Sequence, residues 1–377
     1  MLIGIDCHHI KDQRGIERYL LNLLSFFKKE KNINFILYVA DNLSAKKLPK
    51  SDNFKIKILK SRISSTALFQ HWLLPRQAKK DKLDLLFSPS YFLPFFYKGR
   101  TAVTIHDIIY ETHPEWFNFN GLQDKVLIRW VGRKSAQKAD IIFTPSEFSK
   151  KEIHRFYKIE LSKIKTINLA ADESFFNVKA DKSQVFAKYK IKNSYFIFSA
   201  SLFLRRCIPE IIIAFKQIAK EHHNFQLLII GKNFSGKNIT VLIEKINKSL
   251  GREAIVYISE YIDQETLVFL CRKAHAVIYL SLYEGFGLPV LEAMLAGVPV
   301  ICGNAESIKE ITKGNCFWID NPKDIKKIAK AMRASIKDKE IYQKIKKDAF
   351  LQTKNFSWQK CVQDTLRALK LQILKSK

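Results

Sequence analysis

The sequence predicts an α/β fold built from two domains with parallel sheets. Short apolar, β-prone segments alternate with helical segments throughout the chain, as they do where helices connect parallel strands. The chain has 377 residues, more than one hydrophobic core usually serves, so we expect two domains. Hydrophobic residues make up 47% of the chain, which is enough for packed cores and argues against long disordered stretches.

The first half of the chain begins on an apolar strand, followed by a polar loop that holds Gly15 and a helix from Ile16 onward. Further on, Thr144 is expected to cap a helix, with Pro145 as its first residue and Glu147 at the capping-box position. The predicted helix after Ile16 has one apolar face, formed by Tyr19, Leu20, Leu23, Leu24 and Phe27. The expected strands are residues 2–6, 34–40, 84–88, 101–105, 140–143 and 164–169.

The second half repeats this pattern after a polar, mixed segment, residues 170–182, where we place the linker. A helix is expected over residues 210–220, and Asp263 is a candidate cap for another. From Lys323 the chain reads as helical, lysine-rich and amphipathic, and Ser357 lies where the last helix begins. The expected strands are residues 195–199, 226–230, 255–258, 275–280 and 298–301.

A glycine-rich loop between the last two of these strands is the most informative stretch. Gly285 and Gly287 bracket Phe286, which suits a loop whose backbone comes close to another group. Pro289 fits the first position of the following helix, and Gly297 fits the residue just past its end. The loop would direct unpaired N–H groups and the positive end of a helix at one point, which favours a phosphate.

The alternative for this stretch is an ordinary strand–loop–helix connection in an α/β sheet. The whole run, however, resembles the donor-site signature of the family 4 (group 1) glycosyltransferases, in which two acidic residues flank a Gly-Phe-Gly loop. In this chain Glu284 and Glu292, eight residues apart, occupy the acidic positions.

Other motifs resemble the same family. The opening strand with Gly15 is similar to its first glycine loop, although many relatives have two glycines where this chain has Arg14-Gly15. His106 follows the strand 101–105, and its surroundings resemble the family's acceptor-domain motif. A structural contact between His106 and Asp107 is the alternative. Ligands of open α/β sheets bind outside the carboxyl ends of strands, which favours a site role.

Residues 199–207 resemble the family's arginine-lysine element. Arg205 matches its arginine, while Arg206 replaces the lysine, Ala200 a glycine and Cys207 an asparagine. Two adjacent arginines can bind a diphosphate bidentately, and an exposed basic turn is the alternative. Gly231, at the end of the strand 226–230, resembles another donor-side loop.

The resemblance implies the GT-B arrangement, two Rossmann-like parallel α/β domains that face each other across a cleft. The implied domains are residues 1–175 and 183–355, with a last helix, 356–377, packing back on the first domain. It also implies transfer of a hexose from a nucleotide-sugar, GDP-mannose or a UDP-sugar, with retention of configuration, no metal and no cofactor. The acceptor would be a growing glycan or lipid-linked acceptor in lipopolysaccharide or O-antigen type biosynthesis.

The resemblance also implies roles for individual residues. Glu292 would bind the donor's ribose, Glu284 would lie by its sugar or phosphate, and His106 would bond a sugar hydroxyl. Charge grows on the departing diphosphate, so fixed positive groups would stabilise it. The implied catalytic residues are His106, Arg205, Arg206 and Glu284; the implied donor-binding residues are Gly15, Gly231, Gly285, Phe286, Gly287, Leu288 and Glu292.

The formal net charge of +28 has several interpretations. It fits a nucleic-acid partner, an anionic membrane surface or a lysine-rich composition without a partner. Residues 46–100 carry 13 Lys or Arg against three acids, beside aromatic residues such as Trp72 and the run from Tyr91 to Tyr97. That mixture suits a membrane interface, and a solvated lysine face over core aromatics is the alternative.

No RNA- or DNA-binding motif is visible, so we expect no nucleic-acid partner. A basic nucleic-acid-binding protein and a GT-B-like epimerase or phosphorylase remain the alternative functions. Six scattered cysteines without a Cys-x-x-Cys pair suggest reduced thiols. We see no signal peptide and no spanning apolar run, so a cytoplasmic location is expected, with a peripheral place on the inner face of the membrane as an option.

Overall fold

The computed structural model describes residues 1–11, 15–61, 63, 65–117, 119, 121–176, 184–192 and 194–375. The chain forms two units, one of Met1–Leu169 with Ser357–Lys377 and one of Ala170–Phe356. We call them unit 1 and unit 2. The part of the expected linker from residue 177 to 182 lies outside the described residues, as does Arg14.

Within the described residues, unit 1 contains a seven-stranded parallel sheet in the order β3-β2-β1-β4-β5-β6-β7. Its strands are β1 (Leu2–Asp6), β2 (Asn34–Val39), β3 (Phe54–Ile58), β4 (Leu85–Ser88), β5 (Thr101–Thr104), β6 (Ile141–Thr144) and β7 (Ile164–Thr166). Unit 2, over the same described ranges, contains a six-stranded parallel sheet in the order β10-β9-β8-β11-β12-β13. Its strands are β8 (Ser194–Ser199), β9 (Phe225–Ile230), β10 (Ile255–Ile258), β11 (Ala276–Tyr279), β12 (Val300–Cys302) and β13 (Phe317–Trp318).

Helices connect these parallel strands, which confirms the predicted α/β class for both units. In unit 1 they are α1 (Gly15–Phe27), α2 (Asn42–Lys47), α3 (Thr66–Leu68), α4 (Leu74–Lys80), α5 (Ile109–Thr112), α6 (Leu122–Lys138) and α7 (Glu147–Tyr157). In unit 2 they are α8 (Gln184–Lys188), α9 (Ile208–Glu221), α10 (Ile239–Leu250), α11 (Gln264–Lys273), α12 (Leu288–Leu295), α13 (Glu306–Thr312), α14 (Ile325–Lys337) and α15 (Lys339–Gln352). The last helix, α16 (Trp358–Leu374), belongs to unit 1.

The apolar face predicted for α1 is buried, and α16 packs beside this helix. The side chain of Ser357 caps α16 by accepting a hydrogen bond from the Lys360 N–H at 3.2 Å. Lys370 of α16 pairs with Glu30, just after α1, at 3.0 Å. The apolar side of α16 thereby becomes part of the core of unit 1.

Two strands escaped the sequence analysis. β3 contains alternating lysines, Lys55 and Lys57, and lies at the edge of its sheet, so its half-buried pattern resembles a basic loop. β13 is two residues long and also lies at an edge. Edge strands need only one apolar face, and lysine is common on them, so their sequence signal is weak.

The predicted start of α7 was wrong. Thr144 ends β6, and Ser146 is the cap, with its hydroxyl accepting the Ser149 N–H at 3.0 Å. Proline disfavours helical geometry in the residue before it, so Pro145 keeps Thr144 extended and moves the helix start onward. The cap predicted for α11 is confirmed, since the Asp263 carboxylate accepts the Thr266 N–H at 2.9 Å.

Candidate active site

Three predicted site residues of unit 2 are in direct contact. Arg205 and Arg206 lie in the short turn between β8 and α9, and Glu284 lies in the loop between β11 and α12. The Arg206 Nε donates to the Glu284 Oε1 at 3.3 Å, and the Arg205 Nε lies 3.8 Å from the same oxygen. β8 and β11 are neighbours in the sheet, so their carboxyl ends bring these loops together. We call these three residues the arginine–glutamate cluster.

Two hydroxyl groups complete the environment of Glu284. The Ser281 Oγ and the Tyr279 hydroxyl donate to the Glu284 Oε1 at 2.9 and 3.0 Å. Burial alone would raise the pKa of Glu284, but Arg206, Arg205 and the two hydroxyls together lower it. Glu284 therefore carries its negative charge at neutral pH and compensates one of the two arginines.

The two arginines have different surroundings. Arg206 is buried, donates from Nη1 to the Ser201 carbonyl at 2.6 Å, and lies against the rings of Phe203 and Tyr279. The Arg205 Nε donates to the Tyr283 carbonyl at 3.2 Å. In the described part of the chain, the terminal nitrogens of Arg205 hydrogen-bond to no protein atom. Arg206 thus supports the turn, while Arg205 has donors to offer to an anion.

The glycine loop follows the cluster directly. Gly287 has φ +115, and a Cβ there would lie 3.3 Å from Ile308, so a glycine suits this position sterically as well. Phe286 is buried and packs edge-to-face on Phe356, at 5.9 Å between ring centroids. Pro289 is the second helical residue, not the first as predicted, because α12 begins at Leu288.

Backbone donors lie at the start of α12. The N–H groups of Val290 and Leu291 bond to the Gly287 carbonyl at 3.0 and 3.3 Å. Over the described residues, the N–H groups of Phe286, Gly287 and Leu288 have no protein acceptor. Unpaired N–H groups at a helix start suit an anion, as the sequence suggested.

Glu292 lies on α12 and is buried. Its environment includes Cys271 of α11, whose thiol pKa is raised by burial and further by the negative charge of Glu292. Gly285, at the start of the loop, is buried too. Five of the predicted donor-binding residues therefore share one loop and helix, with the arginines contributed by the neighbouring strand end: Gly285, Phe286, Gly287, Leu288 and Glu292.

Gly231 has a structural reason to be glycine. Its φ is +142, and a Cβ there would lie 2.1 Å from the Ala200 carbonyl oxygen. The Gly231 backbone therefore approaches the end of β8, where the arginine turn begins. These contacts indicate that Gly231 lets the ends of β8 and β9 lie close together.

We expect Gly231→Ala to destabilise unit 2 by roughly 2–3 kcal/mol, since backbone strain and overpacking each cost about 1–3 kcal/mol. Gly236 has φ +69 and open space around it, so Gly236→Ala tests conformational strain without the clash and should cost about 1 kcal/mol. Urea unfolding of both variants measures the difference. Equal losses would show that the contact with Ala200 does not restrict this position.

His106 and Gly15 belong to unit 1. The His106 Nε2 lies 3.2 Å from the Pro89 carbonyl oxygen, which only accepts hydrogen bonds, so this nitrogen carries the proton. Burial lowers the pKa of His106 to about 4, and the bond to Pro89 offsets part of that shift. The ring is neutral at pH 7, and its Nδ1 is an acceptor.

Gly15 is the first residue of α1, and a Cβ there would meet no atom within 4 Å. The helix therefore begins one residue earlier than predicted, and Gly15 belongs to it. Tyr19, one turn further along α1, packs edge-to-face on His106 at 5.0 Å and lies 3.1 Å from the Thr104 hydroxyl. α1 thus places Gly15 and His106 on elements that contact each other.

Sequence reasoning missed Tyr279, Ser281 and Phe203. Tyr279 ends a buried strand and Ser281 follows it by two residues, so polar groups at a strand's carboxyl end could have indicated them. It also missed a buried pair at the end of β1, in which the His8 Nδ1 lies 2.7 Å from the carboxylate of Asp6, the last residue of that strand. In the sequence these residues are indistinguishable from ordinary polar residues at strand ends, because their partners are defined only by the folded structure.

Three further features bear on the site's chemistry. Among the described residues, no group of three or more His, Cys, Asp or Glu side chains could hold a metal ion. Over those same ranges, no helix combines the length and apolarity needed to cross a membrane. All six cysteines are free and buried, as the scattered pattern suggested.

Two family models match this chain. The Glycosyltransferase Family 4 model matches residues 13–175, and the Glycosyl transferases group 1 model matches residues 181–352. O-antigen chain mannosyltransferase B of Escherichia coli is 29% identical over 301 residues, which are 78% of this chain and 76% of that protein. Serotype-specific mannosyltransferase WbdA of Escherichia coli is 24% identical over 268 residues, 69% of this chain but 32% of that longer protein.

Solved structures show the same fold. Sucrose-phosphate synthase from Thermosynechococcus elongatus has a TM-score of 0.78 at 16% identity, with 100% of both chains covered. HepE of Anabaena, in complex with UDP-glucose, has a TM-score of 0.75 at 16% identity, with 98% of this chain and 99% of that chain covered. With both family models matched in order along the sequence, the chain belongs to the family 4, group 1 glycosyltransferases and has the GT-B fold.

Proposed function

We propose that this glycosyltransferase moves a hexosyl group, with mannose as the first candidate, from a nucleotide-sugar to a growing glycan or lipid-linked acceptor. The names of the related Escherichia coli mannosyltransferases support cell-surface polysaccharide of the O-antigen type as the product. GDP-mannose and UDP-sugars are the candidate donors, and transfer retains the anomeric configuration. The observation that carries the proposal is the arginine–glutamate cluster beside the start of α12, where backbone N–H groups of the described residues lack protein acceptors.

The chemistry follows from the charge that develops on the donor. As the glycosidic bond breaks, negative charge grows on the departing diphosphate. The terminal nitrogens of Arg205 and the N–H groups of Phe286, Gly287 and Leu288 are donors without protein acceptors in the described part of the chain. Fixed donors of this kind stabilise the leaving group without reorganising during the reaction.

The remaining donor-side residues have supporting roles in this proposal. Glu292 accepts hydrogen bonds from the ribose hydroxyls, since one carboxylate can accept two. Gly285 precedes the unpaired N–H groups of the loop, Gly231 lets the ends of β8 and β9 lie close together, and Gly15 leaves open space at the start of α1. Glu284 positions both arginines through its Oε1. These contacts support a positioning role for Glu284 more strongly than direct contact with the donor sugar.

His106 is proposed to accept a hydrogen bond from a sugar hydroxyl at its Nδ1, because Nε2 already donates to Pro89. His106→Ala should lower kcat/KM by roughly five- to tenfold, the loss of one neutral hydrogen bond. With a pKa of about 4, His106 stays neutral well below pH 6.5. The ratio of wild-type to variant kcat/KM should therefore be constant between about pH 5.5 and 8. A ratio that falls towards one near pH 6.5 would contradict the neutral-acceptor role.

The location and acceptor partner are part of the proposal. A lipid-linked acceptor lies at a membrane, and the net charge of +28 suits the anionic cytoplasmic face. Within residues 46–100, the aromatic side chains of Phe69 and Tyr97 are buried, which favours the core-aromatic alternative for these two residues. Trp72 and Phe96 of the same stretch are exposed and remain available to a surface partner.

A panel of GDP-, UDP- and ADP-sugars tests the function directly. We expect one donor to raise the thermal unfolding temperature and to support transfer to a lipid-linked glycan, since ligands that bind only the folded state stabilise it. Nuclear magnetic resonance of the product should show the donor's anomeric configuration. An epimerised sugar, or a sugar phosphate formed without acceptor, would instead identify an epimerase or a phosphorylase.

A further inference from the structure

An uncovered apolar stripe lies on the first half of α6 in unit 1. The exposed fractions are 76% for Leu122, 62% for Val126 and 51% for Trp130. These residues are four positions apart, so they lie on one face of the helix. Leu127 beside them is 56% exposed. The residues that α6 buries all belong to its second half: Val131, Gly132, Ser135 and Ala136.

The stripe continues onto a neighbouring turn. The Trp130 ring lies 5.2 Å from Phe95, and the adjacent Phe96 lies 5.0 Å from Trp72. Phe96 is 61% exposed and Trp72 is 46% exposed. The Lys138 Nζ holds this turn against α6 by donating to the carbonyls of Pro94 and Phe95 at 2.6 and 2.7 Å. We call the joined surface the apolar patch; it consists of Leu122, Val126, Leu127, Trp130, Trp72 and Phe96.

Basic residues surround the apolar patch. The segments 72–80, 95–100 and 121–134 carry nine Lys or Arg and one acid, Asp124. The Arg76 guanidinium lies 4.8 Å from the Trp72 ring. Arg129 and Arg133 pair with Glu111 at 3.0 Å, so part of this charge is compensated locally. Tryptophan and phenylalanine within a cationic rim suit the boundary between lipid headgroups and acyl chains.

Charge complementarity identifies the occupant. A second copy of this chain would bring an equally basic rim against the first, and like charges across an interface oppose association. Anionic lipid headgroups would compensate the rim while the acyl region covers the apolar side chains. A nucleic acid would compensate the charge but leave Leu122, Val126 and Leu127 in water.

We propose that the apolar patch inserts into the surface of an anionic bilayer, with the surrounding Lys and Arg at the headgroup phosphates. This deepens the proposed function and rests on it for the membrane-bound acceptor. It assigns the contact mainly to α6, which follows the basic stretch 46–100 in the chain. The bilayer would thus hold unit 1 beside acceptors carried on lipid.

Flotation with vesicles of phosphatidylcholine and phosphatidylglycerol tests this proposal. Wild-type protein should bind them, bind pure phosphatidylcholine vesicles weakly, and remain partly bound in high salt, because burial of apolar side chains is not screened. The double variant Val126→Glu/Trp130→Glu should bind at least tenfold more weakly. Val241→Glu/Ile341→Glu is the matched control, since it makes the same charge change at side chains of unit 2 that are 55% and 48% exposed.

Fluorescence gives a second readout that a purely electrostatic contact would not produce. Brominated acyl chains should quench wild-type tryptophan emission on binding, and Trp72→Phe/Trp130→Phe should lose most of that quenching. Unchanged vesicle binding by the Val126→Glu/Trp130→Glu variant would overturn the proposal. So would binding without quenching, or sedimentation showing a dimer that only this variant disrupts.

Transfer to a soluble acceptor analogue, measured without lipid, separates this inference from the proposed function. The Val126→Glu/Trp130→Glu variant should retain that activity within about twofold of wild type, because both side chains are exposed on α6 and neither is among the residues placed in the site. Loss of vesicle binding with retained transfer supports the proposal. Wild-type vesicle binding with no transfer from any nucleotide-sugar would refute the proposed function and leave the membrane contact standing by itself.

Discussion

Arg205→Ala is expected to lower kcat for sugar transfer by roughly 100- to 1,000-fold, the usual effect of removing one preorganised donor from a developing negative charge. Its terminal nitrogens have no protein acceptor among the described residues, so the folded protein does not depend on their bonds. The free energy of unfolding should still fall by about 1–3 kcal/mol, because the variant loses the Nε bond to the Tyr283 carbonyl and one of the two arginines beside the buried Glu284. Affinity for the donor should fall less than kcat, since most of the negative charge appears on the leaving group only in the transition state.

Arg333→Ala is the matched control for this prediction. Arg333 of α14 pairs with Glu221 at 2.6 Å, and both side chains are partly exposed. Its loss should leave kcat unchanged and cost at most about 1 kcal/mol of stability, as for other surface ion pairs. Arg205→Lys should keep part of the activity, because it keeps the charge but loses the planar donor geometry. An Arg205→Ala enzyme with wild-type kcat would remove Arg205 from the site.

The strands that the sequence predicted most accurately are largely apolar and buried in the sheet. β1, β9 and β11 are apolar and enclosed by neighbouring strands, so their residues match their predicted positions closely. β3 and β13 lie at sheet edges, where one apolar face is sufficient and lysines are tolerated. The prediction of where α7 begins was wrong for a different reason: Pro145 disfavours helical geometry in Thr144, the residue before it.

The candidate site shows the same division. The glycine loop and the two arginines were found as residue types in a recognisable order. The sequence did not show which arginine has N–H donors without a protein acceptor. That depends on contacts in the folded chain, such as the hydrogen bond from Arg206 to the Ser201 carbonyl. Gly231 fitted a donor loop by sequence, while its φ and its approach to Ala200 are properties of three-dimensional packing. The tautomer of His106 likewise depends on Pro89, 17 residues earlier in the chain.

The role of Glu284 implied by the resemblance differs from the role that its contacts in the structure indicate. The resemblance assigned its carboxylate to the donor sugar or phosphate, whereas its contacts in the structure are with Arg205, Arg206, Tyr279 and Ser281. A carboxylate that holds two arginines sets their direction and lowers the net charge that an incoming diphosphate meets. It therefore acts as a positioning residue for the arginines.

Glu284→Gln is expected to destabilise unit 2 by about 3 kcal/mol at pH 7, because removing one partner of a buried ion pair leaves the other charges uncompensated. The loss should depend on pH in a specific direction. The pKa of Glu284 is lowered in the folded protein from an ordinary value of 4.5. Its contribution to stability is thus fully present above pH 4.5 and is lost as pH falls through the folded pKa. The difference between wild type and variant should shrink over that acidic range.

Urea unfolding at neutral pH and at several values below 4.5 measures this difference, with Glu306→Gln as the control. Glu306 pairs with Lys309 at 2.6 Å on an exposed surface, so its loss should cost less than about 1 kcal/mol. A difference of equal size at pH 7 and in acid would show that side-chain shape, not charge, holds the cluster. Added donor should protect the Glu284→Gln variant more than wild type, since the diphosphate would replace the missing negative charge beside Arg205 and Arg206.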